Sequence, residues 1–295
     1  LVGVTPAAVG AYSATVFNVA GTVTSDTATL SVNELAPDIT WAIPQQVSYG
    51  TPLSSAQLNA STFIPGTFIY TPAPGTVLAS GSHTLNVVFT PEDTTNFVAT
   101  NALVQLTVNK SPLSVIANNL SREYSTPNPT LTVAYSGFVN GEDSTALATP
   151  PTLATVADGT SLPGNYPITA SGAAAANYVI THTDGNLTVF ANAPNITVDP
   201  VSLTTISTLN ASFDVQATGT APITYQWRHQ GTNLPNETNP NLTINAVDPF
   251  RDAGAYDVVL ANIAGSRTSL VATLTVLVTP AITQQPVDVT ANALG

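Results

Sequence analysis

The sequence predicts an all-β fold, a tandem array of small Greek-key β-sandwiches. Three observations predict it. Apolar and polar residues alternate with period two along almost every apolar run, as in HTLNVVF (83–89), LVQLTV (103–108), ASFDVQA (211–217), AYDVVLA (255–261) and LVATLTV (270–276). That period places successive side chains on opposite faces of a strand. Turn signals such as PAPG, NGED, ADG, LPG and QGTN interrupt these runs every 8–12 residues or about that, the spacing a sandwich needs. Finally, whole stretches of the chain recur. Residues 8–32, AVGAYSATVFNVAGTVTSDTATLSV, align without a gap on residues 252–276, DAGAYDVVLANIAGSRTSLVATLTV, with 12 of 25 positions identical.

The repeats set the expected elements in order. Residues 1–34 repeat the second half of a domain that runs in full over 191–279. Residues 280–295 repeat its first strand, since PAITQQPVDVT (280–290) aligns on PNITVDPVSLT (194–204). Between them lie two distantly related units, 35–110 and 111–190. The first holds YGTP, GSHTLNV, NF and VQLTV; the second holds YSTP, GNYPITA, NY and NLTV. In each, nine residues separate an aromatic (Phe97, Tyr178) from the Leu of the closing strand (Leu106, Leu187). The junctions NELAPD (33–38), NKSP (109–112) and FANAP (190–194) are short, so neighbours are expected to abut, each around its own core. Short helical turns are expected at 54–58, 140–147 and 248–254. The terminal pieces lack the equivalent of about 210–244 and are not expected to close a core unaided, and the chain reads as a window on a longer array.

Composition narrows the function classes. Of 295 residues only five are basic, and the net charge of −12 comes from their scarcity. Four arginines and Lys110 make no basic patch, which argues against nucleic acid and anionic lipid as partners. There is no Cys and no Met, so stability is expected from burial and ladder hydrogen bonds. No apolar stretch is long enough for a membrane span, and no leader pattern opens the chain.

At residues 211–276 the sequence resembles an immunoglobulin domain. ASFDVQATGTAPITYQWRHQGTNL is similar to its strands B and C, and DAGAYDVVLANIAGS to strands F and G with their tyrosine corner. The resemblance implies Trp227 as the core tryptophan and Tyr256 as the corner tyrosine, with Tyr12 its counterpart in the first repeat, and assigns all three to the structural core. The disulfide positions of the family fall on Val215 and Val258, so an apolar pair stands in place of the bridge. Residues 39–97 resemble a bacterial immunoglobulin-like repeat. Residues 113–189 resemble the MBG repeat of YGX type, with Tyr124-Ser125 where the pattern has Tyr-Gly. These resemblances imply a segment of a large secreted or surface-anchored bacterial protein. Its partners would be neighbouring domains of the same or identical chains, or a glycan or surface protein.

Candidate chemistry is sparse. His83, His182 and His229 are far apart in strand-like segments, with neither HExxH nor a nucleophile elbow, so no catalytic residue and no cofactor is assigned. Most acids fall at turns, where a backbone hydrogen bond explains them. Calcium at a junction is the one metal the resemblance brings in, with Glu34, Asp38, Asp93 and Asp199 as candidate ligands. Arg251 and Asp252 are placed to pair at the corner. The readings that follow are a structural stalk or fibre segment, an adhesive binding module, or a filament subunit using strand edges.

Overall fold

The structure is a computed structural model that describes residues 4–291. It is nearly all strand, with short 3₁₀ turns at Pro6–Ala8 and Ser144–Ala146. The expected turn at 140–147 contains the second of these; 54–58 and 248–254 form hydrogen-bonded turns without a 3₁₀ helix. No described helix is long and apolar enough to cross a membrane.

The chain divides into two compact units. The first takes residues up to 117, 132–153 and 169–184; the second takes 118–131, 154–168 and 185 onward. Residues 111–190 thus contribute to both.

In the first unit a sheet runs in the order Val47–Ser48, Thr100–Asn109, Gly81–Pro91, Gly66–Thr71. Val47 pairs in parallel with Val108, and the other neighbours are antiparallel. The alternation in GSHTLNVVFTP buries Leu85, Val87 and Phe89 on one face. A second sheet holds Val133–Ser136, Ser111–Ala117 and Tyr178–Thr183, the last two parallel. One core cluster joins Tyr49, Leu85, Leu106 and Val108 to Leu113 and Tyr178. The sequence predicts separate cores for 35–110 and 111–190. The structure instead merges them here, because only Lys110 separates strand Thr100–Asn109 from strand Ser111–Ala117, and Leu113 and Tyr178 pack into the preceding repeat's cluster.

In the second unit Leu120–Glu123 pairs in parallel with Gly185–Phe190, which pairs antiparallel with residues 164–168 of the strand Gly164–Ser171. That is the strand order seen for Val47–Ser48, Thr100–Asn109 and Gly81–Pro91. Beyond it lies a sandwich with its own core. One sheet carries Leu203–Ile206, Ala272–Leu277, Gly254–Asn262, Thr224–His229 and Thr232–Asn233 in that order. Ala211–Asp214 pairs with Asn241–Ile244, and Asn195–Val198 with Gln216–Thr218. Phe213, Trp227, Leu242, Tyr256, Val258 and Leu274 fill the centre.

Residues 8–30, in the first unit, fold as two hairpin-like pairs, Gly10–Tyr12 with Ala28–Leu30 and Thr15–Asn18 with Gly21–Thr24. Tyr12, assigned above to a core, is 53% exposed. The reason is physical: no described strand stands over it as Ala211–Asp214 stands over Tyr256.

Candidate functional site

The structure places the residues implied by the immunoglobulin resemblance as follows. Trp227 is fully buried, and its indole Nε1–H donates to the Asn239 carbonyl at 2.9 Å. Val215 and Val258 lie in the same cluster, both buried. Tyr256 donates its hydroxyl to the Asp252 carbonyl at 2.8 Å, closing the corner. Arg251 binds both oxygens of Asp252 at 2.8 Å and holds that carboxyl below its usual range. A second forked pair, Arg228 with Asp257 at 2.7 Å, has no signature in the sequence beyond its cross-strand register. His229 is half-buried and stacks on Tyr256 at 4.5 Å, although its place on strand C suggests a solvent-facing ring.

The four candidate calcium ligands are not brought together. Among the described residues no group of three or more His, Cys, Asp or Glu gathers. Glu34 and Asp38 are exposed. Asp93 accepts from the backbone N–H of Thr95 and Asn96 at 3.1 Å and from the Asn96 amide at 2.7 Å. Those bonds, the amide first, lower its pKa. Asp199 accepts from the Leu270 N–H at 2.7 Å.

Sequence reasoning missed the most organised polar cluster, and it read its centre as a turn acid. Glu142 follows a turn whose Asn140 and Gly141 both have positive φ (59° and 73°), and its N–H donates to Val139. The side chain then receives two phenols. Tyr49 donates to Oε1 and Tyr178 to Oε2, each at 2.5 Å. Tyr178 also accepts from the Val139 N–H at 3.1 Å, and its ring meets Tyr49 edge-on at 5.6 Å. Ser111 donates to the Tyr49 carbonyl at 2.6 Å; Ser80 binds the Asn177 side chain and the Ala176 carbonyl, both at 3.0 Å. Short hydroxyl bonds to a carboxylate are the strong kind.

The backbone beneath this clasp is the YGTP turn. Tyr49 N–H donates to the Asn109 carbonyl at 2.8 Å, and Gly50 takes φ 95°. A Cβ on Gly50 would lie 2.7 Å from a Val139 methyl, so space as well as conformation demands glycine. The YSTP turn keeps the same bond, Tyr124 N–H to the Phe190 carbonyl at 2.8 Å, with Ser125 at φ 65°. The Tyr-Ser departure therefore leaves the turn intact and strains it. Ser125→Gly relieves a cost of about 1–2 kcal/mol, offset by glycine's backbone entropy, so a net gain of about 0.5–1 kcal/mol is expected in urea unfolding.

A related clasp stands in the second unit. Glu123 accepts from the Thr220 hydroxyl, and that oxygen accepts from the Asn192 N–H at 2.7 Å. Asn262 binds the Asn192 and Thr220 carbonyls at 2.7 and 2.8 Å. Both clasps are carboxylate–hydroxyl contacts in a chain nearly devoid of cations.

Burial, and for Tyr178 the bond to Glu142, push the Tyr178 and Tyr256 phenols up to about 12 from an ordinary value of 10.0. A phenol raised on folding adds stability that is full below the unfolded value and is lost as pH rises through the folded one. The melting temperature is therefore expected to hold up to about pH 10 and fall between there and pH 12, traced by calorimetry.

The fold defines a class. This chain is a tandem array of β-sandwich repeats, immunoglobulin-like and MBG-like. Residues 113–188 match the MBG domain of YGX type. No curated protein matches the chain. Among solved structures it is similar to a chimeric titin fragment carrying a decorin peptide, at 26% identity, covering 30% of this chain and 99% of that one, with a TM-score of 0.27. It is also similar to a three-domain titin immunoglobulin structure (13% identity, 82% and 99% covered, TM-score 0.37). A third is Sidekick-1 immunoglobulin domains 1–5 (18% identity, 94% and 68% covered, TM-score 0.33).

Proposed function

We propose that this chain is a load-bearing structural segment, a stalk, spacer or fibre, of a large extracellular bacterial repeat protein. The repeats are placed at 1–34, 35–110, 111–190, 191–279 and 280–295. The observation that carries the reading is the Tyr49–Glu142–Tyr178 clasp over a core shared by residues 49–108 and 113–178. The most organised polar groups here are spent on fixing one repeat against the next. The match of residues 113–188 to the MBG domain supports a bacterial surface setting. An adhesive role toward glycan or protein, or assembly into a filament, is the second reading, favoured by the exposed apolar residues of the first hairpins.

Exchanging residues 8–279, in the cell that makes the protein, for unrelated β-sandwich repeats of equal length separates these. A spacer predicts unchanged surface attachment and reach. Loss of attachment with length preserved would overturn the spacer and favour the adhesive reading.

A further inference from the structure

The first hairpins reproduce half of the complete sandwich in bond-by-bond detail. Gly10, Ala11 and Tyr12 pair with Leu30, Thr29 and Ala28; 244 residues on, Gly254, Ala255 and Tyr256 pair with Leu274, Thr273 and Ala272. Asn18 faces Gly21 as Asn262 faces Gly265. The Tyr12 hydroxyl donates to the Ala8 carbonyl at 2.6 Å, the bond Tyr256 makes to Asp252 at 2.8 Å. Ser25 Oγ accepts from the Ala14 N–H at 3.0 Å, as Ser269 Oγ does from Val258.

What differs is the cover. In the complete sandwich the core consists of five residues from 256–274 and six from 211–247, among them Phe213, Trp227 and Leu242. The five are Tyr256, Val258, Leu260, Ala272 and Leu274, and all are buried. Their counterparts Tyr12, Ala14, Val16, Ala28 and Leu30 are not, with Tyr12 53% and Val16 70% exposed. An apolar cleft of about 410 Å³ opens there, lined by Val4, Ala8, Tyr12, Ala28, Thr29 and Leu30.

We propose that residues 8–32 are a docking surface for a polypeptide half-sandwich of the kind that residues 196–247 supply to residues 254–276. Its chemistry follows from the register. One partner strand pairs antiparallel along Tyr12–Phe17, as Thr224–His229 pairs along Tyr256–Ala261. It sets an aromatic opposite Ala14, as Trp227 stands opposite Val258. A second strand lays an aromatic ring on Tyr12, as Phe213 stacks on Tyr256 at 5.0 Å. The inference is independent of the spacer reading, since a spacer and an adhesin would dock this partner alike.

The test joins a copy of residues 192–251 directly to Ala8 of the full chain, so that the graft meets residue 8 as residue 251 meets 252. Amide exchange at residues 10–12 and 28–30 is expected to slow about 100-fold or more relative to the parent chain. Trp227→Ala in the grafted copy is expected to abolish the slowing. A reciprocal exchange guards against a graft that fails to fold: residues 253–276 of the full chain are replaced by a copy of 9–32. Its Trp227 is expected to keep the emission of a buried indole and to melt cooperatively, at a lower temperature because Ala14 and Val16 are smaller than Val258 and Leu260. Unchanged exchange in the graft together with solvent-exposed Trp227 emission in the exchange variant would overturn the proposal. So would protection of residues 10–12 and 28–30 in the parent chain that rises with its own concentration, which would make the occupant a second copy.

Discussion

Trp227→Ala is expected to cost the sandwich of residues 196–276 about 3–5 kcal/mol, the usual range for truncating a fully buried aromatic. The indole is 0% exposed, touches Phe213 at a centroid distance of 6.1 Å, and satisfies its N–H on Asn239. Alanine leaves a cavity and strands that carbonyl. With Val215 and Val258 where the related family carries a disulfide, no covalent link limits the unfolded state, so packing around the tryptophan carries the load. Amide exchange across residues 256–262 measures the loss. Trp41, the remaining tryptophan, reports the first unit, and its fluorescence midpoint is expected to stay within error of the parent. A cost under about 1 kcal/mol would show that the core does not centre on Trp227.

The second large effect belongs to the clasp. Glu142→Ala removes the acceptor of two phenol O–H donors at once, leaving Tyr178 only the bond it accepts from Val139, and each buried donor left unpaired costs about 1–3 kcal/mol. Gly50→Ala attacks the same contact from the other side. It puts a side chain at φ 95°, a cost of about 1–2 kcal/mol, and drives a Cβ into Val139, which adds about 1–3 kcal/mol of overpacking. Because both act on one interface, their effects are expected to be less than additive in a double-mutant cycle read by urea unfolding of Trp41. Full additivity would mean that Gly50 and Glu142 support separate structures.

Most of the second sandwich is legible in the sequence because its signals are local. Alternation sets which of Phe213, Val215, Val258 and Leu260 point inward, and the spacing from Asp252 to Tyr256 is the corner itself. The doubled motif at residues 8–32 likewise announces the register that the structure shows between Gly10 and Leu30. The clasp is less legible, since it depends on groups 93 and 36 residues apart meeting at one carboxylate. NGED reads as a turn, and it is one; nothing within the turn says that Glu142 turns back toward two tyrosines. Tyr49 and Tyr178 each stand at a repeat landmark, YGTP and NY, and that coincidence is the one signal available. The shared core escaped for a similar reason. NKSP contains a proline and a junction lysine, yet Pro112 sits within strand Ser111–Ala117 and only Lys110 interrupts the run of strand. Tyr12 shows the converse. Its local pattern matches Tyr256, but burial is set by strands far away in sequence.

The central claim is that strand Ser111–Ala117 and Tyr178 complete the core of residues 49–108, so that the first-unit parts of the two repeats are one mechanical body. Pulling single full-length chains from both ends tests it most directly. The account predicts that the first-unit residues of the two repeats, 44–117 with 132–153 and 169–184, release together in one step longer than the about 250 Å that a single repeat spans at about 3.3–3.6 Å per residue. Two separate steps of about 250 Å each, at distinct forces, would contradict it.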